Sequence, residues 1–93
     1  MIVGVLIVEL HTDTTHSLKE KRHIISSIKE KLKNKYNISI IESDYQNLWQ
    51  KIQLGISMVA NSKPIIETAF TRIEDFITLN YPVRIVSVEK DFF

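Results

Sequence analysis

The stretch that most constrains this chain is its first ten residues after the methionine, Ile-Val-Gly-Val-Leu-Ile-Val-Glu-Leu-His, residues 2–11. It is rich in β-branched side chains and apolar at both parities as far as Glu9. A strand that is apolar on both sides along much of its length belongs in the middle of a sheet, where it is covered on both faces. Such a strand needs a neighbour along each edge, and the rest of the chain must supply them.

Beyond the polar loop Thr12 to His16 the hydrophobic period changes. Ser17-Leu18-Lys19-Glu20 has the form of a capping box, in which the serine hydroxyl accepts the amide proton of residue 20 and the glutamate reaches back to the serine amide. Ile24, Ile25, Ile28, Leu32 and Tyr36 then recur at three- and four-residue steps, which predicts one amphipathic helix ending at Asn37. Ile38 to Ser43 is a second β-type run, followed by turn residues Asp44-Tyr45-Gln46-Asn47. From Trp49 the period becomes two, with Ile52, Leu54, Ile56 and Met58 alternating with Lys51, Gln53, Gly55 and Ser57. This predicts a strand with one buried face and one face toward water. Ser62 and Pro64 open a second helix with the stripe Ile66, Ala69, Phe70, Ile73 and Phe76 or Ile77. Asn80 to Pro82 ends it, and Val83 to Val88 reads as the last strand.

The order is βαββαβ. With right-handed crossovers it closes as an α+β, ferredoxin-like sandwich: a four-stranded antiparallel sheet, first and third strands central, both helices on one face. Ninety-three residues suffice for one such domain, residues 1–93. No segment reads as a signal peptide or membrane span, and there is no cysteine, so the expected location is cytoplasmic with no membrane partner. Gly4 and Gly55 both fall inside strands, where glycine allows a close backbone approach or a bulge.

Charge is the most informative surface feature. The chain carries only +1 overall, yet residues 17–36 hold seven basic side chains against Glu20 and Glu30. At about 100° per residue, Lys19, Arg22, Ser26, Lys29 and Lys33 fall on one flank of the first helix. A one-sided row of cations can track a nucleic-acid backbone, giving affinity and salt dependence without sequence specificity. Lys19, Arg22, Lys29 and Lys33 are therefore the predicted phosphate contacts of a nucleic-acid partner.

The alternatives are thinner. His11, His16 and His23 show no zinc-motif spacing and lie near no carboxylate cluster, so no metal site and no cofactor is predicted. Ser17 beside His16 could suggest a nucleophile, but its helix-capping role already accounts for it, and no catalytic residue is assigned. The loop Thr12 to His16 lacks the glycine or arginine that a phosphate cradle would need. On the sheet face away from the helices, strand one offers either Val3, Val5 and Ile7 or Ile2, Leu6 and Val8, with no aromatic in either set. That argues against a sheet that stacks bases. An aliphatic row of Val3, Val5 and Ile7 with Trp49 beside it would instead be an exposed apolar patch, and homodimerisation through the open face would cover it.

His16-Ser17-Leu18-Lys19-Glu20-Lys21-Arg22, following a strand of the type Val-Gly-Val-Leu-Ile-Val-Glu-Leu, resembles the hallmark of the YlxP-like family of small bacterial proteins. Leu48-Trp49-Gln50 and Leu54-Gly55-Ile56 are similar to its second signature, and the likeness spans essentially the whole chain. The resemblance implies a ferredoxin-like sandwich and no established activity. It also implies, through the genes that accompany family members, work near translation initiation and ribosome maturation. The chain departs from the more arginine-rich helix end of such relatives, carrying Lys31, Lys33 and Lys35 there. Lysine neutralises phosphate but lacks the bidentate fork of arginine.

Overall fold

A computed structural model describes residues 1–93 and has the order β1 (Ile2–His11), α1 (Leu18–Lys35), β2 (Ile38–Asp44), β3 (Lys51–Ala60), α2 (Lys63–Asn80), β4 (Arg84–Phe92). The strands form one sheet in the order β2-β3-β1-β4, with every neighbouring pair antiparallel. This is the ferredoxin-like arrangement, with β1 and β3 central and β2 and β4 at the edges.

Alternation decides the faces. Leu6, Val8 and Leu10 of β1 and Ile52, Leu54 and Ile56 of β3 point toward the helices. There they meet Ile25, Ile28 and Leu32 of α1 and Ile66, Phe70, Ile73 and Ile77 of α2. With Ile40 of β2 these form one cluster of fourteen buried residues. Gly4 lies in the same row and is needed there: a Cβ at this position would sit 2.4 Å from Ile66 Cγ2 and 3.1 Å from Phe70 Cζ. The missing side chain is what lets α2 lie close against β1.

The opposite face is less covered than the composition of β1 suggests. Val3, Val5 and Ile7 are only half-buried, because no element packs over that side of the sheet. β4 runs further than Val88: it continues through the charged Glu89, Lys90 and Asp91 to Phe92. Phe92 packs on Phe70 with ring centroids 6.3 Å apart, while Phe93 and Val3 exchange two backbone hydrogen bonds. Lys90 points to the helix side and pairs with Glu74 at 3.1 Å. The register of β4 on β1 shifts between Glu9 and Leu10, and a second irregularity lies between Glu42 and Asp44 of β2. Neither helix is long and apolar enough to cross a membrane.

Candidate nucleic-acid interface

The first helix begins as its sequence indicates, with one displacement. Ser17, with extended backbone at the N-cap, accepts the Glu20 amide proton on Oγ at 3.2 Å. The Glu20 carboxylate does not reach the Ser17 amide; it accepts from the amide of His16, at 2.8 Å. Both exchanges anchor the entry of the helix, so Ser17 is engaged as a cap. At the second helix, Ser62 occupies the N-cap but makes no side-chain hydrogen bond.

Lys21 is where charge counting misleads. It belongs to the basic segment, yet it is 1% exposed. Its Nζ lies 2.8 Å from Glu42 Oε2 on β2 and donates to the carbonyl oxygen of Tyr45. Glu42 Oε2 has no directed hydrogen bond, so the contact has the character of an ion pair. The signal was present in the sequence: residues 21, 25, 28 and 32 share the spacing of the buried stripe, and all four are buried.

Two other cations of α1 are also occupied. Lys31 Nζ lies over the Tyr81 ring, 5.8 Å from its centroid, and Lys35 Nζ over the Phe76 ring at 4.5 Å. The remaining four are Lys19, Arg22, Lys29 and Lys33. They make no salt bridge and no ring contact, Lys29 is half-buried, and the other three are exposed. Lys19 and Arg22, with His23 and Ser26, line a shallow hollow of about 200 Å³ on the outer side of the helix. The structure therefore sorts the seven basic groups into one buried in the fold, two exposed ones lying over aromatic rings, and four with neither kind of contact. The free four are the row predicted from the helical spacing.

The residues predicted as an interface do not make one patch. Val3, Val5 and Ile7 share the open face with Val59 and Ile41, which are 48% and 59% exposed. Val5, Ile7 and Ile41 flank a trough whose floor is Gly55. Trp49 sits past the end of this row, in a separate cleft lined by His11, Asn47, Leu48, Trp49, Gln50 and Lys51. Between the two lie Glu9, which accepts the Tyr45 hydroxyl on Oε1 at 2.9 Å, and the Tyr45 side chain itself. That hydrogen bond, together with the charge of Glu9, raises the Tyr45 phenol above its ordinary value of 10.0.

The histidines are dispersed. His11 Nε2 is 2.8 Å from Asp13 Oδ1, while His16 and His23 are exposed. No group of three or more His, Asp and Glu side chains is placed to hold a metal ion.

Comparison with known proteins agrees with this architecture. Residues 3–90 match a family described as "Protein of unknown function (DUF503)". Over 61 residues the chain is 41% identical to the "Uncharacterized protein YlxP" of Bacillus subtilis (strain 168), a match covering 66% of each protein. Among solved structures, the structural-genomics protein YJCS aligns over 96% of both chains with a TM-score of 0.60 and 13% identity, a likeness of fold alone. A de novo designed protein with ferredoxin fold aligns over 99% of this chain and 85% of its own, at a TM-score of 0.44 and 18% identity. With the family match spanning nearly the whole chain, the chain belongs to the YlxP-like DUF503 family.

Proposed function

We propose that this is a non-enzymatic, cytoplasmic accessory protein that binds structured RNA or a ribosomal particle through the outer flank of α1. Lys19, Arg22, Lys29 and Lys33 make the phosphate contacts. The observation that carries the reading is the partition of the basic residues. The four cations of α1 without an intramolecular partner fall in one arc of the helix, whereas Lys21 is buried and Lys31 and Lys35 lie over aromatic rings. Lysines at these sites neutralise phosphates and do not read base edges, so affinity exceeds sequence selectivity.

The test is binding to purified ribosomal subunits across a salt series, with Lys19, Arg22, Lys29 and Lys33 changed together to Glu and the fold monitored by circular dichroism. Binding of one subunit that weakens steeply with salt and vanishes in the variant supports the proposal. A wild-type protein that fails to bind at low salt, or a variant that binds equally well, refutes it.

A second reading is a protein-interaction or regulatory module that dimerises through the open sheet face. It is favoured by the uncovered aliphatics of β1 beside Ile41 and Val59. Sedimentation that gives a monomer at high micromolar concentration would dispose of it.

A further inference from the structure

We propose that the cleft at the end of the sheet receives one unpaired nucleobase, stacked on Trp49, from an RNA strand whose phosphates run along α1. This rests on the RNA-binding reading above and adds to it a preference for single-stranded segments. Trp49 is the chain's sole tryptophan and is 52% exposed, yet the backbone that carries it is fixed. Its carbonyl accepts the hydroxyl of the buried Thr15 at 2.7 Å, and the next carbonyl, of Gln50, accepts the Thr12 amide at 3.0 Å. At the other end of the same loop, Lys21 holds the Tyr45 carbonyl and Glu9 holds the Tyr45 hydroxyl. An exposed indole on so constrained a loop is presented to a partner at little ordering cost.

The lining identifies the kind of partner. The cleft is a shallow hollow of about 340 Å³, largely open to solvent. Leu48 and Trp49 supply the apolar surface and Asn47 and Gln50 offer amide donors and acceptors, while His11 Nε2 is paired with Asp13 and Lys51 Nζ lies over the Tyr45 ring at 5.5 Å. An aliphatic peptide side chain would use Leu48 and Trp49 and leave the two amides to water. A nucleobase brings a π-face for the indole and hydrogen-bonding edges for the Asn47 and Gln50 amides. The Thr15–Trp49 hydrogen bond also ties the cleft to the loop that reaches the Ser17 cap of α1 two residues later. The cleft opens on the sheet face away from the helices, because His11 and Lys51 have the parity of Ile7 and Gly55, so a strand that reaches both sites passes around the end of the sheet near Thr15. A duplex hides its bases, so only the row remains available to it.

Because Trp49 is the sole tryptophan, its emission reports directly on the cleft. The full-length protein is titrated with a short oligoadenylate, an oligouridylate, and a blunt RNA duplex of the same length. The Trp49→Ala and Trp49→Phe variants are followed by anisotropy of labelled RNA. Single strands should quench Trp49 and the duplex should not. Trp49→Ala should weaken single-strand binding by about 5- to 100-fold while leaving duplex binding unchanged, and Trp49→Phe should keep most of the affinity. Changing the four α1 cations to Gln should weaken both ligands. Unchanged emission with single strands that do bind through α1 would overturn the base site alone and leave Leu48 and Trp49 as a contact for protein. Absence of any RNA binding would overturn both readings.

Discussion

Lys21 converts part of a surface-looking motif into an internal fastening. Its ammonium is removed from water and held between the Glu42 carboxylate and the Tyr45 carbonyl, so that α1, β2 and the loop after β2 meet at one atom. Removing one partner of a buried pair strands the other, whereas replacing both with apolar side chains relieves both desolvation penalties. Lys21→Met should therefore destabilise the protein by about 3 kcal/mol, near the low end for a buried pair because Glu42 keeps 19% exposure. The double variant Lys21→Met with Glu42→Leu should recover much of that loss. Urea denaturation of the three proteins decides it; equal midpoints for wild type and Lys21→Met would show the pair to be inert. Tyr45 gives a pH test of the same loop. Its phenol is raised above 10.0 by its hydrogen bond to Glu9 and by that residue's charge, so the folded state holds the proton more tightly than the unfolded state. The sign follows: this contribution is complete below pH 10 and disappears as pH climbs through the folded value. The phenolate absorbance difference between wild type and Tyr45→Phe should show its midpoint above 10.0, with proteolysis of the Asp44 to Gln50 loop accelerating only beyond that pH.

At the scale of elements, the capping box and the glycine of β1 carry the sharpest predictions. Ser17→Ala removes the acceptor for the Glu20 amide and should cost about 1 kcal/mol in thermal or urea unfolding. Gly4→Ala should cost about 1–3 kcal/mol, because the new methyl meets Ile66 and Phe70, both fully buried and without room to retreat. A Gly4→Ala protein as stable as wild type would mean that α2 is free to shift outward. These elements were legible because each announces itself locally: a period of two or of 3.6, a serine three residues before a glutamate, a proline in a first turn. Five of the six elements were placed within about two residues by such signals, the usual latitude of boundary assignment. The end of β4 was not, since Glu89-Lys90-Asp91 has the charge density of a loop and becomes a strand only because β1 offers it an edge. The site was legible in the same uneven way. Helical spacing alone identified the four free cations, which depend on one element. The separation of Trp49 from Val3, Val5 and Ile7 depends on how two loops cross, and the hydrogen bond that fixes it joins residues 34 apart. Nothing in either loop's own sequence encodes that meeting.

For the whole molecule, the question is what an almost neutral protein gains from dividing its charge so unevenly. Residues 17–36 carry +5 and the remainder −4, so the net +1 conceals a pronounced polarity along a body 41 Å long and 18–21 Å across. An oriented charge distribution of this kind steers a polyanion onto one side and repels it from the other, with a strength set by ionic strength. If α1 is the side that meets phosphate, each of its free cations releases a counterion on binding, and the slope of log affinity against log salt counts them. Neutralising Lys19, Arg22, Lys29 and Lys33 together should lower that slope by about 3, and each single replacement by about 0.7–0.9. Glutamine is the substitution to use for this count. A glutamate at position 33 would place a negative charge in the last turn of a helix ending at Lys35, where the helix dipole disfavours it, and would mix stability into the affinity. Lys31 and Lys35, exposed but lying over aromatic rings, supply the control. Lys31→Gln and Lys35→Gln should change the slope far less, because their charges already rest on Tyr81 and Phe76. If all six replacements shift the slope alike, the protein presents a diffuse positive cloud to its partner; if the four stand apart from the two, the row is the binding surface.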